Sequence, residues 1–225
     1  LSLMAAEVAP VEDAVAQVET AGAAVVYRIP QVVSIPADGS PHKVTVARVN
    51  LQPEIDYLSA PRLVSAVYRR AKLRNESAFT FLPGAVNLFD NDEFLGATRL
   101  ELVAPQGEIE LFLGVEDRLR VERETKRLEV DKRLIGSRRK VVSGYTIDVE
   151  NLLPVLARLI LQDQLPVAGH EEIKIRLENS EPRPTRQSEM NILEWELSLE
   201  PGEKRTMRFD YSVEYPQTME LPGMP

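Results

Sequence analysis

The chain has 225 residues, 44% of them hydrophobic and 28% charged, with a formal net charge of −8. That balance is ordinary for a protein with a proper core, and its sign gives no whole-molecule attraction to nucleic acid or an anionic membrane. The lack of cysteine excludes disulfides, thiolate metal sites and a cysteine nucleophile, and no apolar run approaches the ~20 residues that span a bilayer.

Residues 1–24 hold four acidic side chains, Glu7, Glu12, Asp13 and Glu19, and no basic one. They read as a linker or the end of a helix from a preceding part; a tail without a role fits as well. The start lacks an initiator methionine and a basic, apolar leader, so a fragment or processed form is expected, with the compartment open between cytoplasm and cell envelope.

From Val25 onward short β-branched segments alternate with turn chemistry. Val44, Val46 and Val49, interleaved with Lys43, Thr45 and Arg48, predict a half-buried strand with a bulge near Ala47. "FDNDEF" at 89–94 then sets acidic residues between two phenylalanines. A calcium loop of the EF-hand type starting at Asp90 would need an oxygen ligand where Phe94 stands and a glycine where Leu95 stands. A hairpin tip is the simpler reading, since Asn and Asp tolerate left-handed turn conformations. Asp90 and Asp92 remain as the alternative cation pair. "GEIELFLGV" follows a Pro105-Gln106-Gly107 turn and alternates as a strand.

Residues 118–140 carry ten Lys/Arg against four Asp/Glu, an excess of six positive charges within an acidic chain. The functional reading is a patch for an anionic partner, with Arg118, Arg120, Arg123, Arg138, Arg139 and Lys140 as the contact set. The plain reading is a two-stranded ribbon with both charge signs on its wet face. No aromatic residues interleave the cations, which argues against single-stranded nucleic acid. A second cluster, "YRRAKLRN" at 68–75, equally fits a strand with Arg69 and Arg74 turned outward.

Further on, "NLLPVLARLILQDQLP" fits both a helical stripe and a strand in which Val155, Ala157, Leu159 and Leu161 share a face. The strand-like "GYTIDVENL" before it and Pro154 tilt the reading to strand. In "ILEWELSLEPGEKRTMRFDYSVEYP", Trp195, Leu197 and Leu199 alternate, Pro201-Gly202 supplies a type II turn, and Met207 to Tyr215 resume the alternation; this predicts a hairpin. His42 and His170 have no metal-ligand spacing, and no nucleophile elbow, Walker loop or dinucleotide motif occurs. No cofactor is expected. A carboxylate pair assembled by folding keeps a hydrolase of carbohydrate or peptide as the alternative.

The landmarks "IPADG", Pro61, Asn75, "LPG" at 82–84, "FLG" at 94–96, "LGVED" at 113–117, "YTIDVEN", "QDQLPVA" and the Trp195-to-"PGE" ending together resemble the mucoidy inhibitor A (MuiA)-like family. The resemblance runs to about Pro216. It implies a region of unknown function that follows a smaller domain and a helical, coiled-coil-like middle, with a connection to exopolysaccharide production and no established catalytic residues. "QDQLP" departs from the family's pattern, with Gln where a basic residue is expected.

The expected architecture is mainly β: a tail (1–24), an N-terminal antiparallel sandwich-like domain (25–140) ending in the charged ribbon, an immunoglobulin-like sandwich (141–216), and a tail (217–225). The expected role is a non-enzymatic binding or scaffold module of a larger protein, with a protein or an anionic glycan as partner. A second copy could pair through the ribbon's exposed edges or a missing helical region.

Overall fold

The computed structural model describes residues 17–21, 24–29, 32–135 and 138–219, and every regular element among them is a strand. In chain order these are β1 (Gln17–Ala21), β2 (Ala24–Arg28), β3 (Glu54–Ser59), β4 (Val67–Arg74), β5 (Gly84–Asp90), β6 (Glu93–Leu100) and β7 (Glu108–Val115). There follow β8 (Leu119–Ile135), β9 (Arg138–Asn151), β10 (Ala157–Gln164), β11 (Lys174–Glu181), β12 (Arg186–Gln187), β13 (Ile192–Leu199) and β14 (Lys204–Pro216). The expectation of a mainly β, sandwich-like chain holds. Most of the expected tail 1–24 and the last six residues, 220–225, lie outside the described residues; within the first, 17–21 form β1, paired antiparallel with β2.

The strand expected at 43–49 is not formed. Residues 32–53 carry no ladder, and most of their side chains are exposed, so alternation there has no sheet to serve. β5 and β6 make a two-stranded sheet whose tip is the turn at Asn91 and Asp92, with Asn91 at φ +52°. The acidic stretch is thus a hairpin tip.

Two compact units emerge. The smaller takes the described residues up to Gln52, Leu73–Ala85 and Arg99–Ile109; the larger takes Pro53–Lys72, Val86–Thr98 and everything from Glu110 onward. In the smaller unit Tyr27 stacks on Phe79, with ring centroids 6.4 Å apart, and donates its hydroxyl hydrogen to the Thr80 carbonyl.

The larger unit is a sandwich. One sheet has the order β12-β13-β10-β3-β4-β7, the other β11-β14-β9-β8. Inward side chains of both, among them Leu159, Leu161, Trp195 and Leu197 from the first and Ile147, Val149, Met207 and Phe209 from the second, form one buried cluster. The ambiguous apolar run is strand β10, antiparallel to β13 from Ala157↔Leu199 to Gln164↔Ile192 and parallel to β3 through Leu159↔Tyr57. The parallel pair makes this sheet mixed, and it joins strands from either side of residue 140.

The charged stretch forms the β8–β9 hairpin. β9 is paired along its length by β14, from Arg138↔Pro216 to Glu150↔Lys204, so the stretch is built into the four-stranded sheet with β8 at its edge.

The expected β13–β14 hairpin is a correction. Pro201-Gly202 does turn the chain, with Gly202 at φ +76°, but the two strands enter opposite sheets and face each other. Trp195 lies 5.8 Å from Phe209 between ring centroids. Asn151, fully buried, sits at the corner. Its Nδ2 donates to the carbonyls of Val155 (3.1 Å), Leu199 (2.9 Å) and Glu200 (3.1 Å), and its Oδ1 accepts from Leu153 N at 2.9 Å. Its main chain bonds Glu203 O and Gly202 N at 2.9 and 2.8 Å. Asn151 thereby bonds both arms of the corner, while Glu203 N closes the turn onto the Glu200 carbonyl at 3.0 Å.

The smaller unit repeats this device. Asn75, also fully buried, donates Nδ2 to Phe79 (2.7 Å), Val103 (3.2 Å) and Ala104 (3.2 Å), and accepts from Ser77 N at 3.2 Å. Its main chain bonds Gly107 O and Gln106 N at 2.9 and 2.7 Å, and Gln106 takes the left-handed place of Gly202 at φ +66°. In both corners the acceptors are the fourth residue onward and two residues before the turn.

Removing a buried amide that makes four hydrogen bonds takes one bond from each of its buried partners. Asn151→Ala is expected to lose about 2–4 kcal/mol in urea unfolding. Asn75→Ala is expected to fall in the same range and to raise proteolytic nicking between 73 and 109.

Candidate functional site

Of the six basic residues expected to form a contact surface, five are tied up within the chain. Arg118 forms a two-pronged pair with Glu116, at 2.8 and 2.9 Å. Arg120 lies 3.9 Å from Glu150, which Lys204 also approaches at 2.9 Å. Lys140 meets Glu178 at 2.7 Å. Arg138 donates to the Glu172 carbonyl and, at 3.4 Å, to that of Glu214. Arg139 is exposed and has no side-chain partner among the described residues. The strand pairing brings these cations into one sheet but disperses their charge into local pairs.

Arg123 differs in kind, because it points inward from β8. Its Nε donates to Asp163 Oδ2 of β10 at 2.6 Å, joining the two sheets, and its guanidinium lies 3.8 Å from the Tyr145 ring centroid. The Asp163 side chain is 0% exposed and that of Arg123 17%. Gln164 N supplies Asp163 Oδ1 with a further bond at 2.7 Å. Tyr145 stacks on Tyr211, centroids 6.0 Å apart and planes 9° from parallel. Burial, then the hydrogen bond with Tyr145, pushes the Tyr211 phenol above its ordinary range. The result is an interior polar cluster of Arg123, Asp163, Tyr145 and Tyr211. The sequence carried a signal for it: the alternation Ala157, Leu159, Leu161 extended by one step reaches Asp163.

A second network sits on β3, β4 and β7. Arg70 grips Asp56 through two bonds of 2.7 and 2.8 Å and reaches Glu110 at 2.6 Å, while Lys72 lies 3.1 Å from Asp56. Arg69 holds Asp90 at 2.8 Å, so one carboxylate of the alternative cation pair has a cationic partner. Among the described residues no group of three potential ligands is placed to hold a metal.

This geometry can be set beside known proteins. A family model described as "Domain of unknown function (DUF4139)" matches residues 2–217. The chain belongs to the DUF4139 family. Protein F37C4.5 of Caenorhabditis elegans is 22% identical over 192 residues, covering 80% of this chain and 34% of that protein; the DUF4139 chain thus spans about a third of its relative's length. No solved structure matches it significantly. No described helix is long and apolar enough to cross a membrane.

Breaking the buried pair from one side leaves an uncompensated charge, so Asp163→Ala or Arg123→Ala should lose about 3–5 kcal/mol in denaturant unfolding. The double variant Arg123→Met/Asp163→Leu should stay within about 1–2 kcal/mol of the parent, since a filled apolar pair removes the desolvation penalty. For Asp56, burial works against ionisation, but hydrogen bonds and charge from Arg70 and Lys72 outweigh it and hold the carboxyl below its ordinary 3.8. A carboxyl lowered in the folded state contributes stability that is complete above 3.8 and is lost as the pH falls through the folded value. Asp56→Asn should therefore show a shallower loss of stability below that pH than the parent.

Proposed function

We propose that this chain is a non-enzymatic binding module of a longer protein, and that its partner is a protein with an apolar pocket rimmed by cations. The observation that carries the reading is at the β5–β6 hairpin. Phe89 and Phe94 flank the turn with centroids 5.4 Å apart, 59% and 57% exposed. Asp92 and Glu93 are exposed beside them. The pair braces the hairpin across its strands yet leaves most of both rings in solvent, and exposed aromatic surface with a charged rim is the composition of a protein contact. The internal pairing of the Arg118-to-Lys140 set favours this surface over a glycan held by those cations.

The resemblance to mucoidy inhibitor A-like proteins supports a place in a multidomain protein connected with the cell envelope or exopolysaccharide. The hydrolase alternative calls for a carboxyl raised by its surroundings. The carboxyls displaced here go the other way: Glu116 and Glu178 are lowered by hydrogen bonds from Arg118 and Lys140, and Asp38 and Glu203 by the main-chain N–H groups of Ser40 and Glu200.

The test is cross-linked capture by the longer protein in its native cells, comparing the parent with Phe89→Ser/Phe94→Ser and with Arg118→Glu/Arg120→Glu/Arg139→Glu. Circular dichroism should show all three folded alike. Capture that survives charge reversal and is lost with the phenylalanines is the expected result; the opposite pattern would return the contact to the basic residues.

A further inference from the structure

Away from that hairpin, three loops meet at the end of the larger unit where β10 finishes: 60–66 between β3 and β4, 165–173 between β10 and β11, and 188–191 between β12 and β13. Hydrogen bonds to main-chain carbonyls fix them to one another. Arg62 donates to Gln164 O at 2.5 Å, Gln164 Nε2 to Met190 O at 3.0 Å, and Asn191 Nδ2 to Pro166 O at 2.9 Å. The Ala60 carbonyl closes the first loop by accepting from Leu63 N and Val64 N at 2.9 and 3.2 Å. Asn191 holds the third in a left-handed turn at φ +58°.

These loops put apolar side chains into solvent. Leu63 is 84% exposed, Met190 58%, Val167 49% and Ile192, the first residue of β13, 37%. Single exposed aliphatic residues are ordinary, whereas several on adjoining loops that are held rigidly mark a contact surface. Beside Leu63 that surface is hollow. A pocket of about 90 Å³ opens between Leu63 and Ile192, with Ala60, Arg62, Gln162 and Gln164 around it. Its size selects what can enter. A benzene ring fills a cavity of about 150 Å³, so an aromatic side chain is too large, and the smaller side chain of a leucine fits.

Leu63 is such a side chain, standing at the lip of the pocket it would fill in another copy. A knob and a hole side by side on one patch are what a two-fold contact requires, since each copy then supplies one of each and the contact closes on itself. We infer that two copies of this chain associate through this end of the larger unit, the Leu63 side chain of each entering the pocket between Leu63 and Ile192 of the other. The bonds that brace the loops stay within each chain, so the aliphatic surface is already organised before contact. A contact confined to three loops is small beside permanent interfaces, so the dimer dissociates on dilution. The inference goes beyond the binding-module reading and uses a surface separate from Phe89 and Phe94.

The test is sedimentation velocity of the full chain over a dilution series, with circular dichroism to show that every variant folds as the parent does. The parent should dimerise as its concentration rises, and Leu63→Asp should weaken the dimer at least tenfold. Leu63→Met, which conserves volume, should stay within about fivefold of the parent. Leu63→Phe should weaken the dimer although it exposes more apolar surface, because the ring exceeds the pocket; a merely adhesive patch would be strengthened by it. Val155→Asp, at a side chain 55% exposed in the loop before β10, and Phe89→Ser/Phe94→Ser should dimerise as the parent does. The proposal is overturned if Leu63→Phe dimerises as tightly as the parent or more so, or if Val155→Asp weakens the dimer as much as Leu63→Asp. A parent that is monomeric up to its solubility limit also overturns it. The patch would then belong to a different protein or, if the parent floats with phosphatidylglycerol vesicles and Leu63→Asp does not, to a lipid surface.

Discussion

A carboxamide buried at the base of a turn, donating to three main-chain carbonyls, is the constraint that holds each corner of the chain. Asn151 takes Leu199 O and Glu200 O at the place where β13 and β14 would otherwise begin to pair. The turn at Pro201-Gly202, closed by Glu203 N donating to the Glu200 carbonyl at 3.0 Å, reverses the chain, and beyond it the strands do not pair. The two strands then lie in opposite sheets, and their apolar faces meet as the core. A hairpin would place Trp195 and Phe209 side by side in one sheet; the arch places them face to face across the sandwich. Buried polar groups must be satisfied, and here that demand routes the chain.

The same arrangement around Asn75, matched bond for bond, shows that the device does not depend on its neighbours. The side chains around the two corners differ: Ser77, Phe79 and Gln106 stand in one where Leu153, Val155 and Gly202 stand in the other. What recurs is an asparagine, a turn with proline followed by a left-handed residue, and main-chain carbonyls. Asparagine suits the place because its amide nitrogen donates while its oxygen accepts. Aspartate would set negative charge against carbonyl oxygens, and glutamine is longer by a methylene.

Charge is handled by the same logic of local satisfaction. The buried Arg123–Asp163 pair ties the sheets together under Tyr145, and Arg70 binds two carboxylates across three strands. Arg120 of β8 meets Glu150 on the adjacent β9, and Lys140 of β9 reaches across β14 to Glu178 of β11. The exposed aromatic pair of the β5–β6 hairpin stands out against this paired surface, away from the segment with the highest density of basic residues.

Period-two alternation by itself determined most of the strands. The inward positions of β9, β10, β13 and β14 were legible because one face of each is almost wholly apolar. The turn at 91–92 was legible because Asn and Asp tolerate its backbone. Alternation also suggested a strand at 43–49 that does not form, since a pattern states which face would be buried and not whether a partner strand exists. The sequence could not say which strands pair: β3 lies beside β10 across about a hundred intervening residues, and β13 parts from β14 two residues from its turn. Nor could it separate the inward Arg123 from the outward Arg120, because a cation at an apolar position reads as noise until the buried carboxylate opposite is known. Local periodicity is written into consecutive residues, whereas pairing, corners and buried ion pairs depend on groups far apart in sequence that only the tertiary structure brings within bonding distance.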